Sequence, residues 1–168
     1  DEITSPCVVK ALVLAGKRGK ANAVKVCKTV EEAKEFAAGL LGKNVLGEGV
    51  TKLYLEQPIE FSKELFASIT YDSIKKTPVI LFSNEGGVDI EELAKTRPEK
   101  LLKISVDAAL GVEEFQLREE LKKFGVESAL IPKIASILAK LYVVFAQTDA
   151  RICEANPIAV TMDGKLVC

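Results

Sequence analysis

Residues 78–83, PVILFS, run apolar without the alternation of polar and apolar positions that a half-solvated strand shows. Such a strand is consistent with a sheet covered on both faces, so helices must pack over it. The main candidate is a helix predicted over 128–145, where Ile131, Ile134, Leu138, Leu141, Tyr142 and Phe145 recur every three or four residues. Strand signals occur at 7–13, 23–27, 52–56, 64–71, 100–106 and 151–155, and 158–162 pairs with 165–168 through Asp163-Gly164. Thr29 with Glu32 three residues on predicts a capped helix whose stripe is Val30, Ala33, Phe36, Ala37, Leu40 and Leu41, ended by Gly42. A further amphipathic helix is expected over 112–124, ending at Gly125, and a helix start at Asp89-Ile90-Glu91-Glu92. The expectation is an α/β (α+β) chain with mixed or antiparallel strands and packed helices. Glycines 42, 47 and 49 make 43–50 read as a flexible crossing, and with Pro58 they suggest a small lobe at 1–57 and a larger one at 58–168.

The sequence narrows the chemistry before any motif is weighed. A net charge of -1 argues against a nucleic-acid partner or a membrane surface, both of which call for a strongly basic face. No apolar run approaches the roughly 18 residues of a membrane span. Cys7, Cys27, Cys153 and Cys168 form no CxxC motif and are expected as reduced, mostly buried thiols. The absence of a signal-type segment favours an intracellular, cytoplasmic chain, and the start at Asp1 suggests processing or a fragment. There is no histidine, hence no imidazole for nucleophilic catalysis or for zinc or haem ligation.

The stretch 8–25, VVKALVLAGKRGKANAVK, reads as a strand, a basic glycine loop at 14–22 and a returning strand. Glycines let a backbone approach a ligand and turn its amides inward, and Lys10, Lys17, Arg18 and Lys20 supply charge for a polyphosphate. A basic hairpin loop on a surface also need bind nothing. The loop is not a Walker A motif, since Ala21 follows Gly19-Lys20 where Ser or Thr belongs, and it lacks the three glycines of a dinucleotide fingerprint. Lys10 lies between apolar strand residues, which is costly unless it is paired or faces a polar cavity. Gly86-Gly87, at the end of the PVILFS strand, marks a place where backbone geometry matters, for turning or for binding.

Four blocks in order, VVKALVLAGKRGKANAVK, YLEQPIEFSKELF, SNEGGVDIEELA and CEANPIAVTMDGKLVC, resemble the ATP-grasp part of the succinate-CoA ligase beta subunit family and of its relatives such as ATP-citrate lyase. The resemblance spans nearly the whole chain and implies a two-lobed ATP-grasp fold binding Mg-ATP or Mg-GTP. It implies that Lys10 contacts phosphates, that Lys17, Arg18 and Gly19 close over them, that Glu56 lies at the adenine end and that Glu64 holds the ribose hydroxyls. It further implies Asn156 as a magnesium ligand and Glu154 near the phosphoryl-transfer centre. In that family the phosphoryl group passes to a histidine of a partner alpha subunit and then to an acid, and coenzyme A attacks the acyl phosphate. That would explain a chain without histidine. A non-catalytic domain serving subunit assembly or nucleotide sensing is the competing expectation.

The chain departs from the family pattern in three places. Lys17 and Asn22-Ala23 stand where the family has glycines, with a stiffer return strand expected. The family's second magnesium ligand, an aspartate beyond the E-x-N-P hairpin, would fall past Cys168, so an excised nucleotide-binding domain is expected.

Overall fold

The computed structural model describes residues 5–15 and 18–168, and the chain divides into two compact units, Asp1–Ile59 and Glu60–Cys168. The first contains β1 (Cys7–Ala11), β2 (Val24–Cys27), α1 (Val30–Leu40), the short strands β3 (Asn44–Val45) and β4 (Glu48–Gly49), and β5 (Leu53–Glu56). Its three-stranded sheet has the order β2-β1-β5 with antiparallel pairs. Alternation along β1 gives Cys7, Val9 and Ala11 to the core, where they are buried with Cys27, Ala23, Ala33 and Leu40.

Helix α1 starts as its sequence predicts. Thr29 Oγ1 accepts from the Glu32 amide at 3.2 Å, but the Glu32 carboxylate accepts from Lys28 N rather than from the cap residue itself. The two ends of the expected stripe, Val30 and Leu41, are about half exposed and lie outside the buried cluster. The segment expected as a flexible crossing is instead a β-hairpin formed by β3 and β4. Leu46 and Gly47 take φ of 55° and 93°, the pair of positive angles that a two-residue hairpin turn needs, and Asn44 Oδ1 accepts from Gly47 N. A leucine in the first turn position hides the usual Asn-Gly signal.

The second unit contains β6 (Phe61–Tyr71), β7 (Pro78–Ser83), α2 (Ile90–Thr96), a 3-10 turn at Pro98–Lys100 and β8 (Leu102–Ser105). It continues with α3 (Glu114–Lys123), α4 (Ile131–Gln147), β9 (Ile152–Thr161) and β10 (Leu166–Val167). The sheet order is β10-β9-β6-β7-β8, and every ladder among the described residues is antiparallel. Leu117 and Leu121 of α3 and Ile134, Leu138 and Phe145 of α4 are buried against Leu65, Ala67, Ile69, Ile80, Phe82, Ile158 and Val160 of the sheet. Strand β7 is largely covered on both faces, as its composition suggests: Val79 and Ser83, which point away from that core, are 7% and 0% exposed, and Leu81 between them is partly buried.

Strand β9 continues through Pro157, where two separate strands were expected from the sequence. Leu65 pairs with Ile158 and Ala67 with Ala155, so β6 advances two residues while β9 advances three. Asn156 and Pro157 together oppose Phe66, a β-bulge. Proline, which cannot donate to a ladder, is tolerated at such a bulge. The extra residue resets the alternation, so that Cys153 and Ala155 before it and Ile158 and Val160 after it all pack toward the helices. Glu154, paired with Ser68, falls on the other face, which it shares with Glu64.

β9 and β10 are joined by the predicted Asp163-Gly164 turn, with Gly164 at φ 73°. The Lys165 ammonium, 2.7 Å from Asp163, and the Thr161 hydroxyl hold the Asp163 carboxyl down to about 2, against an ordinary 3.8. Because the folded value is the lower one, this stabilisation is present above pH 3.8 and is lost as pH falls through 2. NMR titration of the carboxyl carbons should place the Asp163 midpoint well over one unit below ordinary aspartates, and Thr161→Val should raise it.

Candidate functional site

In the first unit, Lys10 and Glu56 form an ion pair. The register opposes Lys10 to Tyr54 and Val8 to Glu56, so the pair is a diagonal contact on the sheet face away from α1. This resolves the cost of a lysine within an apolar strand. Both side chains stay accessible, at 27% and 37%, so the ammonium is balanced but not sealed from a ligand.

Of the loop residues, Lys17 lies outside the described residues. Arg18 reaches back over the end of β1, donating from Nη1 to Ala11 O at 3.2 Å, and its carbonyl accepts from Ala23 N. Asn22 takes φ 53°, a left-handed conformation that asparagine tolerates better than most residues, so it fills a position suited to glycine. At Gly19 an added Cβ would meet nothing within 4 Å, so the protein's own packing makes no demand for glycine there. Leu14 N donates to Glu48 of β4 at 2.9 Å, a tie between loop and hairpin that the sequence did not signal.

The second unit brings Glu64, Glu154 and Asn156 together around the glycine pair. Asn156 Oδ1 accepts from Gly87 N at 3.3 Å, and its amide donates to Glu154 Oε1 at 3.4 Å. Gly86 N donates to Glu64 O at 2.8 Å. An added Cβ on Gly86 would sit 2.5 Å from Leu65 O, and one on Gly87, at φ 66°, would sit 2.6 Å from Glu64 Oε2. Gly86 is therefore required because the turn lies directly on the backbone of β6, whereas Gly87 is favoured by its left-handed φ, its near neighbour being the movable end of the Glu64 side chain.

The turn is fixed from its other side by residues that the sequence did not single out. Glu85 N donates to Ser83 Oγ, and the Glu85 carboxylate pairs with Arg97 at 2.9 Å and Lys100 at 3.7 Å. Lys63 Nζ donates to Asn84 Oδ1 at 3.3 Å.

The donor set at Glu154 and Asn156 consists of accessible oxygens and no sulfur or imidazole. Magnesium takes oxygen ligands and is held by one or two protein groups with phosphates and water completing the shell, so these residues fit it. Among the described residues no cluster of three or more acidic or thiol side chains offers an all-protein cage.

The antiparallel sheets of the two units are those of an ATP-grasp domain, as the comparisons with known proteins show. The family model for the ATP-grasp domain matches residues 2–160, and the chain belongs to that family. It is 41% identical over 167 residues to the GDP-forming succinate–CoA ligase subunit beta of Thermus thermophilus, covering 99% of this chain and 44% of that protein. It is 38% identical over 175 residues to the ADP-forming subunit beta of Paraburkholderia xenovorans, covering 99% of this chain and 45% of that protein. The chain thus spans less than half the length of these curated relatives. ATP citrate lyase from Methanothrix soehngenii shares the fold, with a TM-score of 0.75 at 22% identity over 97% of this chain and 37% of that one.

Gly86→Ala should destabilise the second unit by about 1–3 kcal/mol, because backbone rather than a flexible side chain must yield. Gly19→Ala should leave stability unchanged or raise it by about 0.5 kcal/mol through the unfolded state. Denaturant melts of the two variants check the contrast.

Proposed function

We propose that this chain is the nucleotide-binding part of an acid–CoA ligase of the succinate–CoA ligase beta-subunit type. It holds Mg-ATP or Mg-GTP for phosphoryl transfer to a histidine of a partner alpha subunit, and coenzyme A is a substrate of the complete enzyme. The observation that carries this reading is the set of Glu64, Gly87, Asn156 and Glu154, joined by hydrogen bonds and close packing. The names of the curated relatives support it.

In this reading Glu64 accepts the ribose hydroxyls and Glu56 lies at the adenine end. Lys10, with Lys17, Arg18 and Gly19, engages the phosphates. These cations offset charge that spreads over the phosphate oxygens during transfer, a reaction in which the protein mainly positions and stabilises. Asn156 with Glu154 would hold magnesium, which neutralises phosphate charge when bound. Glu154 lies near the phosphoryl-transfer centre. In this reading the histidine belongs to the partner chain; the 168 residues of this sequence contain none. The proposed location is the cytoplasm, or the mitochondrial matrix in a eukaryote.

A ligand that binds only the folded state adds about 2.7 kcal/mol of stability at a hundredfold excess over Kd. Millimolar Mg-ATP or Mg-GTP should therefore raise the melting midpoint of the wild-type chain. If neither nucleotide moves it, even in a longer chain that carries the second magnesium-ligating aspartate, the site reading fails and the assembly role takes its place. Lys10→Ala should abolish the nucleotide-induced rise. It should change unliganded stability by no more than about 1 kcal/mol, because the Glu56 carboxylate left behind is partly exposed. An undiminished rise in the variant would make Lys10 purely structural.

A further inference from the structure

Gly86 and Gly87 carry no side chains, so the turn they form is held only by its backbone and by its neighbours. Glu85 is the one residue of that turn with a charged side chain, and its carboxylate is gripped by two cations. Those cations sit on well-anchored backbone. Arg97 caps α2, its N–H bonded to the carbonyl of Leu93, which is 2% exposed. Lys100 ends the 3-10 turn immediately before Leu101, which is 6% exposed. The end of a buried-anchored helix is thereby tied by charge to a turn whose two amides face Glu64 O and Asn156 Oδ1.

We propose that Arg97 and Lys100 are positioning residues for nucleotide binding: by holding Glu85 they seat the Gly86 amide on the Glu64 carbonyl and the Gly87 amide on Asn156 Oδ1, and through the latter the Asn156 side chain. The proposal rests on the nucleotide reading of the site. The competing fastener, Lys63 to Asn84 at 3.3 Å, acts on the far side of Glu85 from the glycines and does not replace it. Arg97 is the stronger grip, at 2.9 Å against 3.7 Å for Lys100. Either cation could stand in part for the other, so a single substitution should loosen the turn without unfolding it.

The test compares wild type, Arg97→Gln, Arg97→Lys and the double variant Arg97→Gln/Lys100→Gln by three readouts: Mg-ATP Kd by calorimetry, hydrogen exchange of the Gly86 amide, and melting midpoint. Arg97→Gln should weaken binding up to roughly fivefold, the scale of a partly exposed ion pair. It should speed exchange at Gly86 while leaving the midpoint close to wild type. The double variant should show larger losses, and Arg97→Lys should recover most of both. Unchanged Gly86 exchange in the double variant overturns the proposal, because any loss of affinity would then be simple loss of positive charge. A fall in affinity matched by an equal fall in stability also overturns it. If wild type fails to bind Mg-ATP, the nucleotide reading falls, while the exchange comparison still decides whether Arg97 and Lys100 seat the turn.

Discussion

One extra residue in β9 sets the chemistry of the larger unit. Opposite Phe66 the strand spends Asn156 and Pro157 where a regular ladder has room for one, and side-chain parity changes across that point. Without the change, Cys153 and Ala155 could not share the helix-facing side with Ile158 and Val160, and one half of the strand would aim polar groups into the core. With it, Ile158 and Val160 pack under α3 and α4, Glu154 emerges on the other face near Glu64, and Asn156 reaches the Gly87 amide. Proline at the bulge leaves no orphan donor. The same two residues thus serve the hydrophobic core and the polar site.

Charge is managed locally in this chain of net charge -1. Lys10 is balanced by Glu56, and Glu85 by Arg97 and Lys100. In each case the partners are partly exposed, so the pairs add little to stability, and what they supply is placement. For Lys10, that placement reconciles an ammonium with a strand whose other face packs against a helix.

Much of this was legible in the sequence because composition and spacing act over short range. The unbroken apolar run at 78–83, the Thr29 cap and the Asp163-Gly164 turn each state a local rule that the fold obeys. Lys10 announced itself as a residue in need of a partner, although nothing near it in sequence named Glu56. What remained hidden depends on register or on distant pairing. The bulge exists only relative to β6, the hairpin at 44–49 uses leucine where asparagine would have signalled it, and the grip of Arg97 on Glu85 spans twelve residues and a helix. The glycine pair was visible as a backbone constraint, but its cause, direct packing on Leu65, required the sheet.

In the proposed site, Asn156, placed by the bulge, holds the divalent ion that accompanies the nucleotide. Manganese in place of magnesium makes this visible, since its unpaired electrons broaden the NMR signals of nearby protons. With ATP present, the Asn156 side-chain amide and the Gly87 backbone amide should lose intensity at the lowest manganese additions, ahead of the Thr161–Lys165 turn on the same hairpin. Sharp signals from both, at manganese and ATP levels that broaden resonances elsewhere in the chain, would show that Asn156 does not hold the ion.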